Sequence, residues 1–372
     1  MTTGTAEGRR LESDEGGSDR WRFWGPYLAE RQWGTVREDY SKDGNAWDYV
    51  SHDLARSRAY RWGEDGLAGV GDIRTRLCLA LALWNGCDPI LKERPFGLTN
   101  AEGNHGEDVK ELYYYLDATP THSYLKYLYK YPQREFPYAR LTEENRRRGK
   151  LDPEFELLDT GIFDDDRYFD VFVEYAKAAP EDLLMKITVV NRGPDPAVLH
   201  VLPHLWFRNT WSWRDGVARP ELRQLAPGRV QARRIHLRDY VWQCDGEPPL
   251  WFTENESNPR RLFGRPEAVG YFKDGIHERV VHGRVDAVNP KGRGTKVAAQ
   301  YHRQLAPQES WELRVRLTAA GESGDRPPGF DDFETVLATR RAEADEFYGV
   351  LQQEMTDPDA RRVQRQAYAG LL

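Results

Sequence analysis

Between about Trp21 and Leu317 the polar and apolar positions alternate mostly in twos. In RYFDVFVEYAK, Phe169, Val171, Val173 and Tyr175 fall on one side of an extended chain, with Asp170 and Glu174 on the other. That is the period of a strand with one buried face. SWELRVRLTAA repeats it, setting Trp311, Leu313, Val315 and Leu317 against Glu312, Arg314 and Arg316. DLLMKITVVNRGPDPAVLHVLPHLWFRN predicts two strands joined by an Asn-Arg-Gly-Pro-Asp-Pro turn. The run RLCLALALW, Arg76 to Trp84, is apolar on both faces and predicts a strand buried between layers. Tyr113 and Tyr115, and separately Tyr127, Tyr129 and Tyr131, share strand faces and read as amphipathic strands with a wet edge. One-faced and two-faced strands together predict a mainly β chain built as a large antiparallel sandwich.

Near residue 330 the period lengthens. Phe333, Val336, Leu337, Phe347, Tyr348 and Leu351 recur at helical spacing. TDPDA then breaks the helix, with Asp357 placed to cap a second one and Pro358 fitted to its first turn. That second helix, ARRVQRQAYAGLL, carries Val363, Leu371 and Leu372 with no partner of their own. The sequence therefore looks cut off, and residues 357–372 are expected to fray or to pack on a neighbouring molecule. At the other end, residues 1–20 lack an apolar h-region and read as a disordered tail rather than a signal peptide.

Composition narrows the classes. The 372 residues suit one very large β domain or two smaller ones. A hydrophobic share of 39%, a charged share of 30% and a net charge of −7 describe a globular protein and argue against a nucleic-acid partner. No apolar run approaches the roughly 20 residues that span a bilayer, so no membrane partner is expected. Cys78, Cys87 and Cys244 show no metal-type pairing, and a cytoplasmic location is expected. Cys78, inside its apolar run, reads as a small core residue.

Two clusters of mixed chemistry stand out. FWGPYLAERQWGTVREDYS, Phe23 to Ser41, crowds aromatic rings beside charges, and RAYRWGEDGLAG, Arg58 to Gly69, does so again. NHGEDVKE, Asn104 to Glu111, has metal-type donors in His105, Glu107 and Asp108 but no second cluster, so a hydrogen-bonded loop is expected there instead of a metal. KGRGTK lacks phosphate-loop spacing and reads as a turn. FDDDRYFD reads as a solvated loop entering a strand, and ENRRRGK as a surface turn. Trp84, Trp206, Trp242 and Trp311 read as packing residues.

WGPY, ERQWGTVREDYS, RAYRWGEDGLAG, FGLTNAEGNHGEDVKELYYYLDATPTHSY (Phe96 to Tyr124) and PHLWFRNTWSW (Pro203 to Trp213) together resemble the N-terminal part of bacterial proteins in glycoside hydrolase family 63, the mannosyl-oligosaccharide glucosidase family. The resemblance implies a β-supersandwich over residues 21–328. It implies that residues 329–372 are a helical linker and the truncated start of an (α/α)6 barrel. It also implies hydrolysis of α-glucosidic bonds with inversion by two carboxyl groups on that barrel, so no catalytic residue is assigned in this chain. The implied partners are an oligosaccharide or small glucoside and the helical barrel, on the same or a separate chain; no cofactor and no metal are called for. Sandwich loops at the barrel mouth are then expected to wall the sugar pocket. The substrate-binding candidates are Trp24, Tyr27, Trp33, Arg37, Glu38, Asp39, Arg61, Trp62, Glu64 and Asp65. Their rings suit sugar C–H faces and their polar groups suit hydroxyls.

Two alternatives stay open. One is a stand-alone carbohydrate-binding or scaffold protein. The other is a mutarotase-like epimerase, which needs a His and a Glu converging on one sheet face; His200 and His204, with Glu174, have the required residue types.

Overall fold

The computed structural model describes residues 2–28, 51–59, 66–98, 102–104, 108–213, 216–321 and 327–372. Of the ten substrate-binding candidates, Trp33, Arg37, Glu38, Asp39, Arg61, Trp62, Glu64 and Asp65 lie outside these residues, as do His105 and Glu107.

The chain is mainly β, and its ladders are antiparallel. In chain order the first strands are β1 (Trp24–Tyr27), β2 (Leu67–Asp72), β3 (Leu77–Trp84), β4 (Gly97–Leu98), β5 (Asp108–Val109), β6 (Leu112–Ala118) and β7 (Tyr124–Pro132). There follow β8 (Tyr168–Ala179), β9 (Asp182–Asn191), β10 (Ala197–Phe207), β11 (Glu221–Ala226), β12 (Arg229–Arg233) and β13 (Tyr240–Cys244). The last are β14 (Leu250–Thr253), β15 (Arg293–Gly294), β16 (Lys296–Ala299), β17 (Tyr301–Leu305) and β18 (Ser310–Ala319). The first large sheet runs β1-β2-β3-β10-β16-β14, with β17 added on β10. The second runs β15-β11-β12-β13-β18-β9-β8-β7-β6, and β4 pairs with β5 alone.

The alternation read from the sequence is the alternation of the core. Leu79, Leu81 and Leu83 of β3 and Val201 and Leu205 of β10 face Phe169, Val171, Val173, Tyr175, Leu313, Val315 and Leu317 of the second sheet, all buried. β3 is covered on both sides as expected, since Cys78, Ala80 and Ala82 are also buried, on its other face. The Asn-Arg-Gly-Pro-Asp-Pro turn does join two strands, β9 and β10, but it carries the chain from one sheet to the other. Tyr127, Tyr129 and Tyr131 have no wet edge: all three are buried core residues. The hydroxyls of the last two reach buried carboxylates, Tyr129 donating to Glu111 Oε2 at 2.6 Å and Tyr131 to Asp88 Oδ2 at 3.1 Å. A buried phenol is stable when its O–H finds such a partner.

The helical segment falls where the longer period predicted it, at Phe333–Leu351 and Pro358–Leu371. The second helix is docked on β6. Arg365 Nη2 pairs with Asp117 Oδ2 at 2.5 Å, Tyr368 stacks on Tyr348 and Ala369 is buried. Val363, Leu371 and Leu372 are exposed.

The N-terminal stretch corrects the expected disordered tail. Residues Ala6–Glu15 form a helix whose cap is Thr5, accepting the Gly8 N–H at 3.0 Å. Glu7 is fully buried. Its Oε1 accepts Thr121 N–H at 2.7 Å and Thr121 Oγ1 at 2.6 Å, and its Oε2 accepts Ser123 Oγ at 2.7 Å. Beside it the Lys177 ammonium donates to the carbonyls of Trp21, Trp24 and Thr121. The helix is held by polar groups, so the segment had no hydrophobic period to betray it.

Candidate functional site

The outward face of the first sheet is where chemistry gathers. Along β10 the residues opposite the core positions are Leu202, His204 and Trp206, and the ladder sets Trp206 across from Lys296 and His204 across from Ala298. On the other flank His204 lies across from Ala80. Small residues there leave a depression lined by Gly66, Ala80, Glu93, His204, Trp206, Asn255, Lys273 and Lys296. Gly66 is required for a packing reason: a Cβ on it would stand 2.4 Å from the Ala80 Cβ and 3.2 Å from the Trp206 ring.

Each polar group in the pocket is buried and held. Glu93 comes from the segment after β3, where the bridge between Leu83 and Lys92 turns the chain back along the strand. Its Oε1 pairs with Lys296 Nζ and lies 3.5 Å from His204 Nδ1. Burial pushes the Glu93 carboxyl up, but Lys296, His204 and Arg94 together pull it well below the usual carboxylate range. Lys273 Nζ donates to the Arg58 carbonyl at 3.0 Å. Asn255 is clamped by its own Nδ2 on the Phe207 carbonyl at 2.9 Å and by Thr295 Oγ1, which accepts its N–H at 2.8 Å.

This arrangement offers an aromatic ring, an ionised carboxylate, two ammonium groups, an imidazole and an amide around one depression. Glu93 is the single carboxylate among its described lining residues, whereas inversion needs two roughly 6.5–9.5 Å apart.

Neither described member of the substrate-binding set reaches this pocket. Trp24 is fully buried in the sandwich core, edge-on to Tyr240, with its Nε1 donating to the Tyr240 hydroxyl at 3.3 Å. Tyr27 packs among Tyr115, Tyr127 and Tyr175. Both residues are therefore packing residues in this chain.

The epimerase trio is not brought together. Glu174 belongs to the second sheet, where its Oε1 accepts Tyr124 OH at 2.5 Å and Arg341 Nη2 at 2.7 Å under the Phe333–Leu351 helix. His200 stacks on His302 and its Nδ1 meets Gln300 Nε2 at 3.0 Å. His204 does meet a carboxylate, but that carboxylate is Glu93. Sequence reasoning missed Glu93, Lys273 and Lys296 because they come from segments far apart in the chain, with no shared spacing to tie them together. A usable signal was the triplet Lys92-Glu93-Arg94, three charges close behind a strand buried on both faces.

Among the described residues two clusters have metal-type donors, and neither fits an ion. Asp108, Glu154 and Glu156 converge, but the Lys110 ammonium sits among them at 2.6, 2.8 and 3.0 Å and supplies the positive charge. His277, Glu278 and His282 also converge. There His277 Nδ1 accepts the Leu91 N–H at 3.2 Å, which puts the ring proton on Nε2 and leaves that nitrogen no lone pair for a metal.

No protein-family model matches the chain. The uncharacterized protein YMR196W of Saccharomyces cerevisiae (strain ATCC 204508 / S288c) is 41% identical over 412 aligned residues, taking in 99% of this chain and 38% of the yeast protein. The chain thus spans well under half the length of this curated relative. Among solved structures, the polysaccharide lyase BACCELL_00875 overlaps 70% of this chain and 27% of its own, at 15% identity and a TM-score of 0.31. A protein of Escherichia coli K12 named as an aldose 1-epimerase overlaps 55% of this chain and 67% of its own, at 9% identity and a TM-score of 0.26. Overlap this slight carries no argument about activity. No helix among the described residues is long and apolar enough to cross a membrane.

Proposed function

We propose that this chain is the β-supersandwich domain of an inverting glycoside hydrolase resembling the α-glucosidases of family 63. In this reading it packs against a helical catalytic barrel and holds part of an oligosaccharide or small glucoside. The observation that carries the reading is the pocket on the first sheet, where the Trp206 ring stands beside Glu93, His204, Asn255, Lys273 and Lys296. Fixed donors and acceptors of this kind are the chemistry sugar hydroxyls require, while Trp206 itself is a packing residue, buried with Leu28, Cys78 and Ala80 as the sequence led us to expect. The sequence segments Phe23–Ser41 and Arg58–Gly69 support it through the family resemblance. Trp33, Arg37, Glu38, Asp39, Arg61, Trp62, Glu64 and Asp65 are proposed as further sugar contacts. The greater length of the yeast relative leaves room for a catalytic barrel, on which the two carboxyl groups of the reaction would sit.

The test is calorimetric titration of the chain with α-linked glucose disaccharides, with glucose release followed in parallel. Saturable binding that weakens at least tenfold in Lys296→Met, with no glucose released, is the expected result. Glucose release by the chain alone would overturn the assignment of catalysis elsewhere, and an absence of binding would overturn the sugar pocket.

The His204–Glu93 pair supplies the residue types of a second reading, a mutarotase-like epimerase. Its two groups lie 3.5 Å apart, which leaves no room for a sugar ring between them. Polarimetric anomer exchange on the same samples distinguishes the two readings.

A further inference from the structure

The polar track on the outer face of the first sheet continues past the pocket. Two positions beyond Trp206 comes Arg208, and side chains at such spacing stand about 7 Å apart on one face of an extended chain. The Arg208 N–H donates to the Arg76 carbonyl at 3.1 Å, which places Arg76 alongside at the start of β3. Arg234 arrives from the loop between β12 and β13, and its Nη2 donates to Thr210 Oγ1 at 2.7 Å. Three arginines from three separate segments thus gather at one end of the sheet, Arg76 Nη1 reaching the His236 carbonyl beside Arg234; burial first, then the charges of Arg76 and Arg208, lower the Arg234 pKa.

Asp72 offsets part of this charge, but its oxygens are already engaged. Its Oδ1 accepts the Leu77 N–H at 3.0 Å and its Oδ2 accepts Arg76 Nε at 2.8 Å. Some of the arginine donors tie loops together: Arg76 Nη1 reaches the His236 carbonyl at 2.6 Å and Arg208 Nη2 the Arg74 carbonyl at 3.2 Å. That loop-tying role does not account for Arg208 Nε and Arg234 Nη1, which are shielded from solvent and have no acceptor among the described residues. Buried donors without acceptors, in a group with surplus positive charge, are what an oxyanion would satisfy.

We propose that Arg76, Arg208 and Arg234 form an oxyanion-binding site that takes the phosphate or carboxylate group of an anionic ligand. This site goes beyond the sugar pocket and does not depend on it. Guanidinium groups match two oxygens of one anion at once, which an ammonium cannot do. The Trp213 ring, 5.8 Å from the Arg208 guanidinium and 42% exposed, adds an apolar wall for the body of the ligand.

The experiment titrates inorganic phosphate into the chain at low ionic strength, reading heat and the shift of the unfolding midpoint. Glucuronate and a hexose phosphate are run in parallel. Saturable phosphate binding is expected, weakened at least tenfold in both Arg208→Gln and Arg234→Gln and weakened in wild type by added salt. Arg303→Gln is the control, since Arg303 lies on β17, against the far end of β10, and pairs with Glu309 in the turn before β18; its binding is expected to match wild type. Hexose phosphate outranking glucuronate identifies a phosphate ester, and the reverse order a sugar acid. Absence of saturable binding in wild type, or binding undiminished in the cluster variants, would overturn the site. An equal loss in Arg303→Gln would overturn it too. Should Arg234→Gln fail to fold, Arg208→Gln alone decides.

Discussion

Lys92 and Glu93 are neighbours in the chain, yet they feed two charge clusters of opposite character. Lys92 enters a closed one. Its Nζ meets Glu111 Oε1 at 2.5 Å and the Tyr138 hydroxyl at 3.0 Å, and lies 3.9 Å over the Phe136 ring. Glu111 also accepts the Phe96 N–H at 2.9 Å and Tyr129 OH at 2.6 Å, while Asp88 accepts Ile90 N–H and the hydroxyls of Tyr131 and Tyr138. The two carboxylates and the ammonium are engaged by protein, so the cluster is structural. Glu93 enters the other cluster, which lines a pocket and leads on to the arginine group. Burial of charge is common to both. The difference lies in placement: the first cluster is closed among aromatic rings in the interior, and the second lines a depression on the outer face of the first sheet.

The sharpest way to break this comparison is Lys92→Met. It strands the Glu111 carboxylate in an interior site and should cost about 3–5 kcal/mol, whereas Lys92→Met/Glu111→Leu should regain much of that. Denaturant midpoints with unchanged slopes would show it, and a single-variant loss under about 1 kcal/mol would mean the cluster is open to water after all.

Acid stability comes next. His277 stands between the clusters, with Leu91 on one side and Glu93 among its electrostatic neighbours; burial first, then Arg56, hold its pKa down to about 3. Unfolded, it titrates near the ordinary histidine value of about 6.5. Between those values the unfolded chain binds a proton that the folded chain does not. Stability is therefore lost as pH falls from about 6.5 toward 3. Glu93, held low, adds a loss in the same direction, beginning as pH falls into the ordinary carboxylate range and continuing below it. His277→Gln should flatten the slope between pH 6.5 and 4.5 by about 2–3 kcal/mol, and Glu93→Gln should flatten it only below that. Parallel slopes in all three proteins would refute the assignment.

Smaller in stability but sharper in function is Glu93→Gln near neutral pH. It should cost about 1–2 kcal/mol, because Lys296 and His204 keep a neutral acceptor between them. On the proposed reading it should also weaken disaccharide binding at least tenfold. Loss of stability without loss of binding would move Glu93 into the structural class with Lys92. The smallest effect expected is for Tyr131→Phe, which removes one donor from Asp88 and should cost about 1 kcal/mol with binding untouched.

Much of the fold was legible because strands and helices announce themselves by period. Phe169 to Tyr175, Trp311 to Leu317 and Phe333 to Leu351 needed no tertiary knowledge. The N-terminal helix was hidden because its anchor is Glu7, a residue that reads as exposed until Thr121 and Ser123 are placed around it. Tyr127, Tyr129 and Tyr131 were misread because a tyrosine face fits a wet edge as well as a core, and only Glu111 and Asp88 decide which. The candidate site was the least legible part. Its histidine was visible, but the wrong carboxylate was nearest in pattern, Glu174 on the other sheet.

By itself, the sequence determined which faces are apolar, where the period changes from strand to helix, and which segments crowd rings with charges. These are local properties, carried by spacing along the chain. Tertiary structure alone decided that β9 and β10 lie in different sheets, and which charges meet. The ladder register that sets Trp206 across from Lys296 brings that ammonium beside His204 and Glu93. A charge pairs with whatever the folded chain puts within about 3–4 Å, and residues that far apart in sequence share no pattern from which the pair can be read.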